Sequence, residues 1–516
     1  MKKYFEFAAA DLSASIVVFL VALPLCLGVA LGSGAPLFSG IIAGIVGGIV
    51  IGILSGSNLS VSGPAAGLTV IVAGAILQLP SYEAFLLAVV IAGVFQLVLG
   101  YIKAGVIGDY VPNSVIKGML AAIGLILILK QFPHLVGYDA DFEGDETFFQ
   151  IDEKNTFSEM FLAINQITPT ALIIGAVSIL ILILWGSKKI QSHKIFSVVP
   201  GPLIVVLFGV GIHEYIKLYN PAYQLETKHL VSLPVAENIG TFFSFFRFPN
   251  ISFLNNPAVW TTALTLAIVA SLETLLGIEA VDKIDPLKRI TPTNRELKAQ
   301  GIGNIISGLI GGIPVTSVVV RSSANVSAGA KTKLSTILHG LLLLICVMFI
   351  PTLLNKIPLC ALAAVLIYTG YKLVKIPLIK EFYQKGWDQF IPFIVTICAI
   401  LLTDLLKGIV VGIIVALFYL VRSNFRSAIL VVQHDGNFII RLRKDVSFLN
   451  KPIIKHQLEL LPNDSYVIID ATRADFIDKD IIEEINNFML NAAVRNIKVE
   501  IKRNTHNPMH LLFSQP

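Results

Sequence analysis

Long apolar runs alternate with short charged ones along the whole first part of the chain, and no Asp, Glu, Lys or Arg occurs between Leu12 and Tyr82. At about 20 residues per helical span, that block alone holds about three spans. The run behind MKKYFEF is far longer than the apolar core of a secretory signal peptide, about 7–15 residues, so it is read as the first span. Charge-poor segments recur near 12–33, 37–56, 64–80, 84–102, 113–132, 168–186, 198–216, 257–278, 298–313, 318–330, 334–350, 357–371, 388–403 and 407–422, which predicts fourteen spans. Loops rich in Lys and Arg alternate with an acidic loop at about 134–168, and the basic ones face the cytoplasm by the positive-inside rule. Both termini are then cytoplasmic and the chain is a multi-pass protein of the cytoplasmic membrane.

One helix is written twice. Ile41 to Ile49 reads IIAGIVGGI and Ile305 to Ile313 reads IISGLIGGI, 264 positions apart (305 − 41). Starting a second copy near residue 257 gives repeats at about 8–217 and 257–424 with seven spans each, and an odd number inserts the second copy upside down. The fold class is therefore a polytopic α-helical membrane protein of 7+7 inverted repeats. Gly40, Gly44, Gly48, Gly52 and Gly56 recur every four residues and open one helix face to a neighbouring backbone. Asn304 replaces the first of these glycines in the second copy.

Each copy is followed by a Pro-containing run of small residues, NLSVSGPAAGLTV at 58–70 and PVTSVVVRSSANV at 314–326. Pro64 and Pro314 cannot continue a helix, so each run reads as an extended stretch entering a short new helix, the second beginning near Arg321 to Ser323. A broken helix inside a bilayer survives only where its backbone lines a polar cavity. Two helix starts would meet there, each with unpaired N–H groups and a partial positive charge, and together they favour an anion. Arg321 is the one charge in these runs; an arginine at depth costs about 2.5–3.5 kcal/mol on insertion scales, and an anion beside it offsets that. The alternative is that Arg321 snorkels among Lys331 and Lys333.

Glu273 is the other isolated charge, with no further ionisable side chain from Phe248 to Ile278. An isolated membrane carboxylate takes up a proton or pairs with a cation, so it is read as a coupling-ion group, with Thr316 and Ser317 as candidate hydroxyl partners. A structural partner of Arg321 is the other reading. Asp404 and Lys407 are read as a local pair at a turn.

Composition agrees with a membrane class: 55% of the 516 residues are apolar and 14% charged, against about 25% charged in an ordinary soluble protein. The net charge of +5 is spread through loops, so nucleic acid is not a partner. The four cysteines lie in apolar spans without metal-ligand spacing and imply neither a disulfide framework nor a metal. GAKT at 329–332 lacks the glycines of a P-loop, which leaves no catalytic site and no nucleotide. Transport energy would come from an ion gradient of Na+ or H+, with no other cofactor. Beyond Arg426 the pattern changes to a small cytosolic α/β domain at 426–516, after a transmembrane domain at 1–425. It has strands on either side of His434-Asp435-Gly436, an amphipathic stretch near 450–461, a strand at Tyr466 to Ala471, a helix at Asp478 to Arg495 and a strand at Ile497 to Ile501.

SLETLLGIEAVDKI at 271–284, NRELKAQGIGN at 294–304, GGIPVTSVVVRSSANVSAGAKT at 311–332 and IDATRADFID at 469–478 together resemble the SulP family of sulfate and bicarbonate permeases. The resemblance implies core and gate domains, an anion held between the third and tenth spans, a homodimer and a C-terminal STAS domain. It places the substrate at Ala65, Ala66 and Gly67 on the third span and at Val320, Arg321 and Ser322 on the tenth. Glu273 takes the place of the family's acidic residue. Sodium-using bicarbonate relatives carry Asp and, four residues on, Thr on the eighth span; this chain has Glu273 and Gly277, which weakens sodium coupling and leaves proton coupling or weak coupling open. Related STAS folds carry a phosphorylatable Ser where this chain has Lys479, so regulation there is not expected, and the last STAS helix is expected to be short or missing. Secondary transport of bicarbonate or sulfate is the leading reading; a channel-like conductor of the same fold and a nucleobase permease are the alternatives.

Overall fold

The computed structural model describes residues 7–140, 148, 154–187, 199–235, 239–374, 376–427, 429–434, 437–443, 445–503 and 513. The chain end, where the last STAS helix is expected to be short or missing, and residues 141–147 and 149–153 of the acidic loop lie outside these. The chain forms two compact units, Met1–Ile413 and Ile414–Pro516.

Helices occupy every segment that the charge pattern predicts. They are α1 (Ala8–Gly32), α2 (Leu37–Leu54), α3 (Ala66–Gln78), α4 (Tyr82–Tyr101), α5 (Asn113–Val136), α6 (Pro169–Trp185), α7 (Gly201–Tyr219), α8 (Pro257–Ile284), α9 (Thr293–Ile310), α10 (Val319–Ser327), α11 (Leu334–Phe349), α12 (Leu359–Leu373), α13 (Trp387–Leu402) and α14 (Leu405–Ser427). Among the described residues, eight helices are long and apolar enough to cross a bilayer alone, and a short helix at Thr156–Asn165 meets α6 at a 114° bend to make a ninth candidate. The protein is a multi-pass membrane protein. α3 and α10 are short because each starts only after an extended, Pro-containing stretch.

Glycines set the helix contacts. A Cβ on Gly40 or Gly44 would strike Cys26 of α1, while one on Gly48 would lie 2.5 Å from the Gly340 Cα of α11. The four-residue stripe thus serves two neighbours, and a π-turn at Gly47–Ile51 falls where contact passes from one to the other. Gly93 and Gly301 bring α4 and α9 together, and Gly124 and Gly370 do the same for α5 and α12. Each close approach trades side-chain volume for backbone-to-backbone dispersion, the main attraction left when the solvent is itself apolar.

Two short strands in the first unit are β1 (Ser62–Pro64) and β2 (Val315–Ser317); the second unit holds a four-stranded sheet of order β3-β4-β5-β6, formed by Ile429–His434, Asn437–Arg443, Tyr466–Arg473 and Lys498–Lys502. The first pair is antiparallel and the other two are parallel. Helices α15 (Lys451–Glu459) and α16 (Lys479–Ala492) cover it, with Ile481, Ile482 and Ile485 buried as the helical period requires.

Past the end of α5, the buried Asp139 carboxylate accepts hydrogen bonds from His134 Nδ1 and from His229 Nδ1, each at 2.5 Å. This ties α5 to the segment that also pairs with the chain leading into α12, through Val231 N–H and the Ile357 carbonyl. Burial alone would push the carboxyl up; the two imidazole hydrogen bonds and their charge offset that and hold Asp139 below its ordinary value. A carboxylate depressed in this way contributes stability above its unfolded pKa of about 3.9, and the contribution is lost as pH falls through the folded value. Asp139→Asn is therefore expected to cost about 1–3 kcal/mol at pH 7. Thermal unfolding followed from pH 7 to pH 3 should show the gap to the parent closing; a constant gap would refute the account.

Candidate functional site

The runs after the repeated helices meet as two short strands. β1 (Ser62–Pro64) pairs antiparallel with β2 (Val315–Ser317), matching Ser62 with Ser317, Gly63 with Thr316 and Pro64 with Val315. A Pro-containing segment inside a bilayer must find partners for its backbone, and here each half of the chain supplies them to the other. Side chains complete the pairing. Asn304 accepts from Val315 N–H at 2.6 Å and donates to the Val315 carbonyl at 3.0 Å, so the residue that breaks the second glycine stripe clamps β2. Gln300 donates to Ser62 Oγ at 2.7 Å and to Glu296 Oε1 at 3.2 Å. The buried Glu296 also accepts from Ser55 Oγ at 2.5 Å, which fixes the chain leaving α2.

Each strand leads directly into a helix. Ala65 is extended (φ −114°, ψ 139°) before α3 begins at Ala66, and Val318 (φ −96°, ψ 113°) precedes α10. α10 starts at Val319, two residues before the expected start near Arg321, because the β-branched run only mildly disfavours a first helical turn. The first-turn N–H groups of both helices have no partner within the helix.

Between the two starts lies a cavity of about 20 Å³. Ala65, Ala66, Ser317, Val320 and Glu273 line it, and Met119 and Ile123 of α5 with Leu405, Leu406 and Ile409 of α14 form an apolar wall. Gly67 sits against the carboxylate, where an added Cβ would lie 2.8 Å from Glu273 Oε1. Of the residues singled out in the sequence, these come together at one place.

Arg321, Ser322 and Thr316 are placed differently. The Arg321 side chain is fully buried behind β1, with Nη2 donating to the Pro64 carbonyl at 3.2 Å; Nε and Nη1 have no hydrogen-bond partner among the described residues. A Cβ on Gly63 would lie 2.0 Å from Nη1, so that glycine makes room for the guanidinium. The side chain does not snorkel. Ser322 Oγ accepts from Val61 N–H at 2.9 Å and donates to the Val318 carbonyl at 2.7 Å, which braces the crossing. Thr316, one step along the strand from Ser317, turns to the other face and is not in the cavity wall. Ser317 Oγ is engaged with Ser60 Oγ at 2.7 Å. Asp404 and Lys407 pair locally, Nζ to Oδ2 at 2.9 Å, as the turn reading expects.

The model of the Sulfate permease family matches residues 8–397. The chain belongs to the sulfate permease family. Among the relatives it resembles, the bicarbonate transporter BicA of Picosynechococcus sp. is 24% identical over 453 residues, covering 86% of this chain and 75% of that one. The chloroplastic sulfate transporter 4.1 of Arabidopsis thaliana is 21% identical over 553 residues, covering 99% of this chain and 77% of that one. A solved structure of SLC26A9 superposes with a TM-score of 0.65 at 17% identity, covering 96% of this chain and 84% of that one, which establishes a shared fold.

Two features of this sulfate permease family member are not evident from its sequence motifs. The α5 and α14 wall of the cavity is plain apolar sequence, indistinguishable from lipid-facing helix. Lys130 of α5 is also buried, with no hydrogen-bond partner for Nζ among the described residues. The signal that singled out Glu273, an isolated charge within an apolar span, would also have found it.

The structure gives Gly277 a packing role. A Cβ there would lie 2.6 Å from the Ser317 carbonyl oxygen, so α8 can touch β2 only through glycine. Gly277→Thr, which supplies the hydroxyl of the sodium-using pattern, is expected to cost about 1–3 kcal/mol by overpacking. Thermal unfolding of the purified variant without and with Na+ checks this; unchanged stability, or a gain specific to Na+, would overturn the packing explanation.

Proposed function

We propose that this protein is a secondary transporter of a small inorganic oxyanion, bicarbonate or sulfate, working by alternating access across the cytoplasmic membrane. The carrying observation is the convergence of two helix starts and one buried carboxylate on a single small cavity. Two sets of first-turn N–H groups recognise an anion without a fixed counter-charge, so the anion can be released as well as bound. Arg321 acts from behind: its buried charge raises the potential at the Pro64 peptide and the α3 start without contacting the anion. A volume of about 20 Å³ holds about one water. An oxyanion therefore enters only when the apolar α5 and α14 wall moves away, which favours a gated carrier over an open pore.

Glu273 is the coupling group, and the proton is the better fit. Gly277 brings no hydroxyl, Ser317 Oγ is committed to Ser60, and Thr316 faces away, so few oxygens remain to replace the hydration shell of a sodium ion. With Glu273 protonated, the anion meets a neutral neighbour; with it ionised, the like charge opposes binding. Proton and anion then bind together, which is symport. The C-terminal unit is read as a STAS domain, the assembly as a homodimer, and both termini as cytoplasmic.

Uptake of labelled bicarbonate and labelled sulfate into proteoliposomes, under imposed proton or sodium gradients, tests the reading. Gradient-driven uptake of at least one anion is expected, Arg321→Ala should lower it about tenfold, the equivalent of about 1.4 kcal/mol, and Glu273→Gln should abolish the dependence on the proton gradient. Movement of neither anion by the parent protein would sink the proposal, and a steady uncoupled current would replace it with the channel reading.

A further inference from the structure

We propose that Lys130 forms a second anion station on α5, between the central cavity and the outer end of the helix; this rests on reading the strand crossing as an oxyanion site. Lys130 is 8% exposed. A lysine in a membrane helix ordinarily extends its stem through apolar surroundings and leaves the ammonium in water. Here the ammonium is the buried part, and among the described residues it has no hydrogen-bond partner and no ion pair. The nearest acid in sequence on the outer side, Asp139, is occupied by two histidines. A desolvated and uncompensated charge costs several kcal/mol, so it needs a counter-charge that is present during part of the working cycle.

Helix geometry identifies where that counter-charge comes from. At about 100° per residue, Met119, Ile123 and Lys130 fall within about 40° of one another on α5. The first two line the central cavity. The flanking faces are committed elsewhere: Gly118 packs on Phe393 and Thr396 of α13, and Gly124 on Gly370 and Leu373 of α12. Lys130 therefore continues the cavity-lining stripe, seven residues or about 10 Å beyond Ile123, toward the end of α5 that carries His134 and precedes Asp139. When the α5 wall separates from the crossing, the same face that uncovers the cavity uncovers the ammonium. An oxyanion leaving or entering on that side passes a single positive charge, which attracts a divalent anion more strongly than a monovalent one.

Parallel uptake of labelled sulfate and labelled bicarbonate separates this role from a structural one. Lys130→Met, similar in volume, is expected to lower sulfate uptake about tenfold, a loss of about 1.4 kcal/mol, and bicarbonate uptake less. The sulfate-to-bicarbonate ratio should then fall at least about threefold, and Lys130→Arg should restore it. An unchanged ratio, including an equal loss for both anions, overturns the proposal. Lys130→Gln replaces Lys130→Met if the latter does not elute as a folded protein. Should the parent move neither anion, the central reading fails on its own. The station is then judged by the rise in unfolding temperature on adding sulfate to purified protein, expected to be smaller in Lys130→Met; an equal rise would refute it.

Discussion

An unpaired backbone group cannot be left inside a bilayer, and the crossing of β1 with β2 is this protein's answer to that constraint. Two helices are interrupted part-way through the membrane by Pro64 and Pro314, and three residues from each side restore the lost pairing. Everything nearby serves that exchange. Asn304 holds Val315 by both polar groups, Gln300 holds Ser62, Ser322 bridges Val61 and Val318, and Asn325 donates to the Leu59 carbonyl. With the strands fixed, the starts of α3 and α10 are fixed as well.

The polar braces and the glycine contacts divide the work. Glycines at 48, 93, 301 and 340 let helix backbones meet closely, while Glu296 and Gln300 reach from α9 to Ser55 and Ser62 and set where the chain re-enters as β1. By contrast, the α5 and α14 side of the cavity offers only Met, Ile and Leu. Apolar contacts are non-directional, so that surface can slide or part without leaving a broken hydrogen bond. The division between a braced polar side and a smooth apolar side is what the proposed alternating-access mechanism requires.

Much of this was legible from the residues alone. Charge-free runs located the helices, because a bilayer excludes charge so strongly that spans show as gaps in the charge pattern. The duplicated Gly helix and its trailing Pro segments pointed to the candidate site, and Ala65, Ala66, Val320, Ser317 and Glu273 line one cavity. Side-chain direction was not legible. Arg321, Thr316 and Ser322 stand in the right segments but point behind or beside the cavity, since facing depends on where a strand ends and a helix begins, to within one residue. Val319 and Val320 read as strand by their branching and fold as helix. Gly277 read as a lost ligand and proves to be a point of contact with Ser317, a distinction that only the packing distance reveals.

The strand crossing also constrains how the chain is made. Pro64 and its partner Val315 are 251 positions apart (315 − 64). At about 5–20 residues per second, roughly 13–50 s of synthesis separate them. During that interval the first half holds the polar backbone of Ser62 to Pro64 without the strand that will pair with it. The first repeat must therefore wait in a setting where water or an assisting surface covers those groups, and it commits to the bilayer interior only when the second repeat arrives. The two halves are coupled in biogenesis as tightly as in the finished site, so a change that delays insertion of α9 or β2 would harm a segment completed long before.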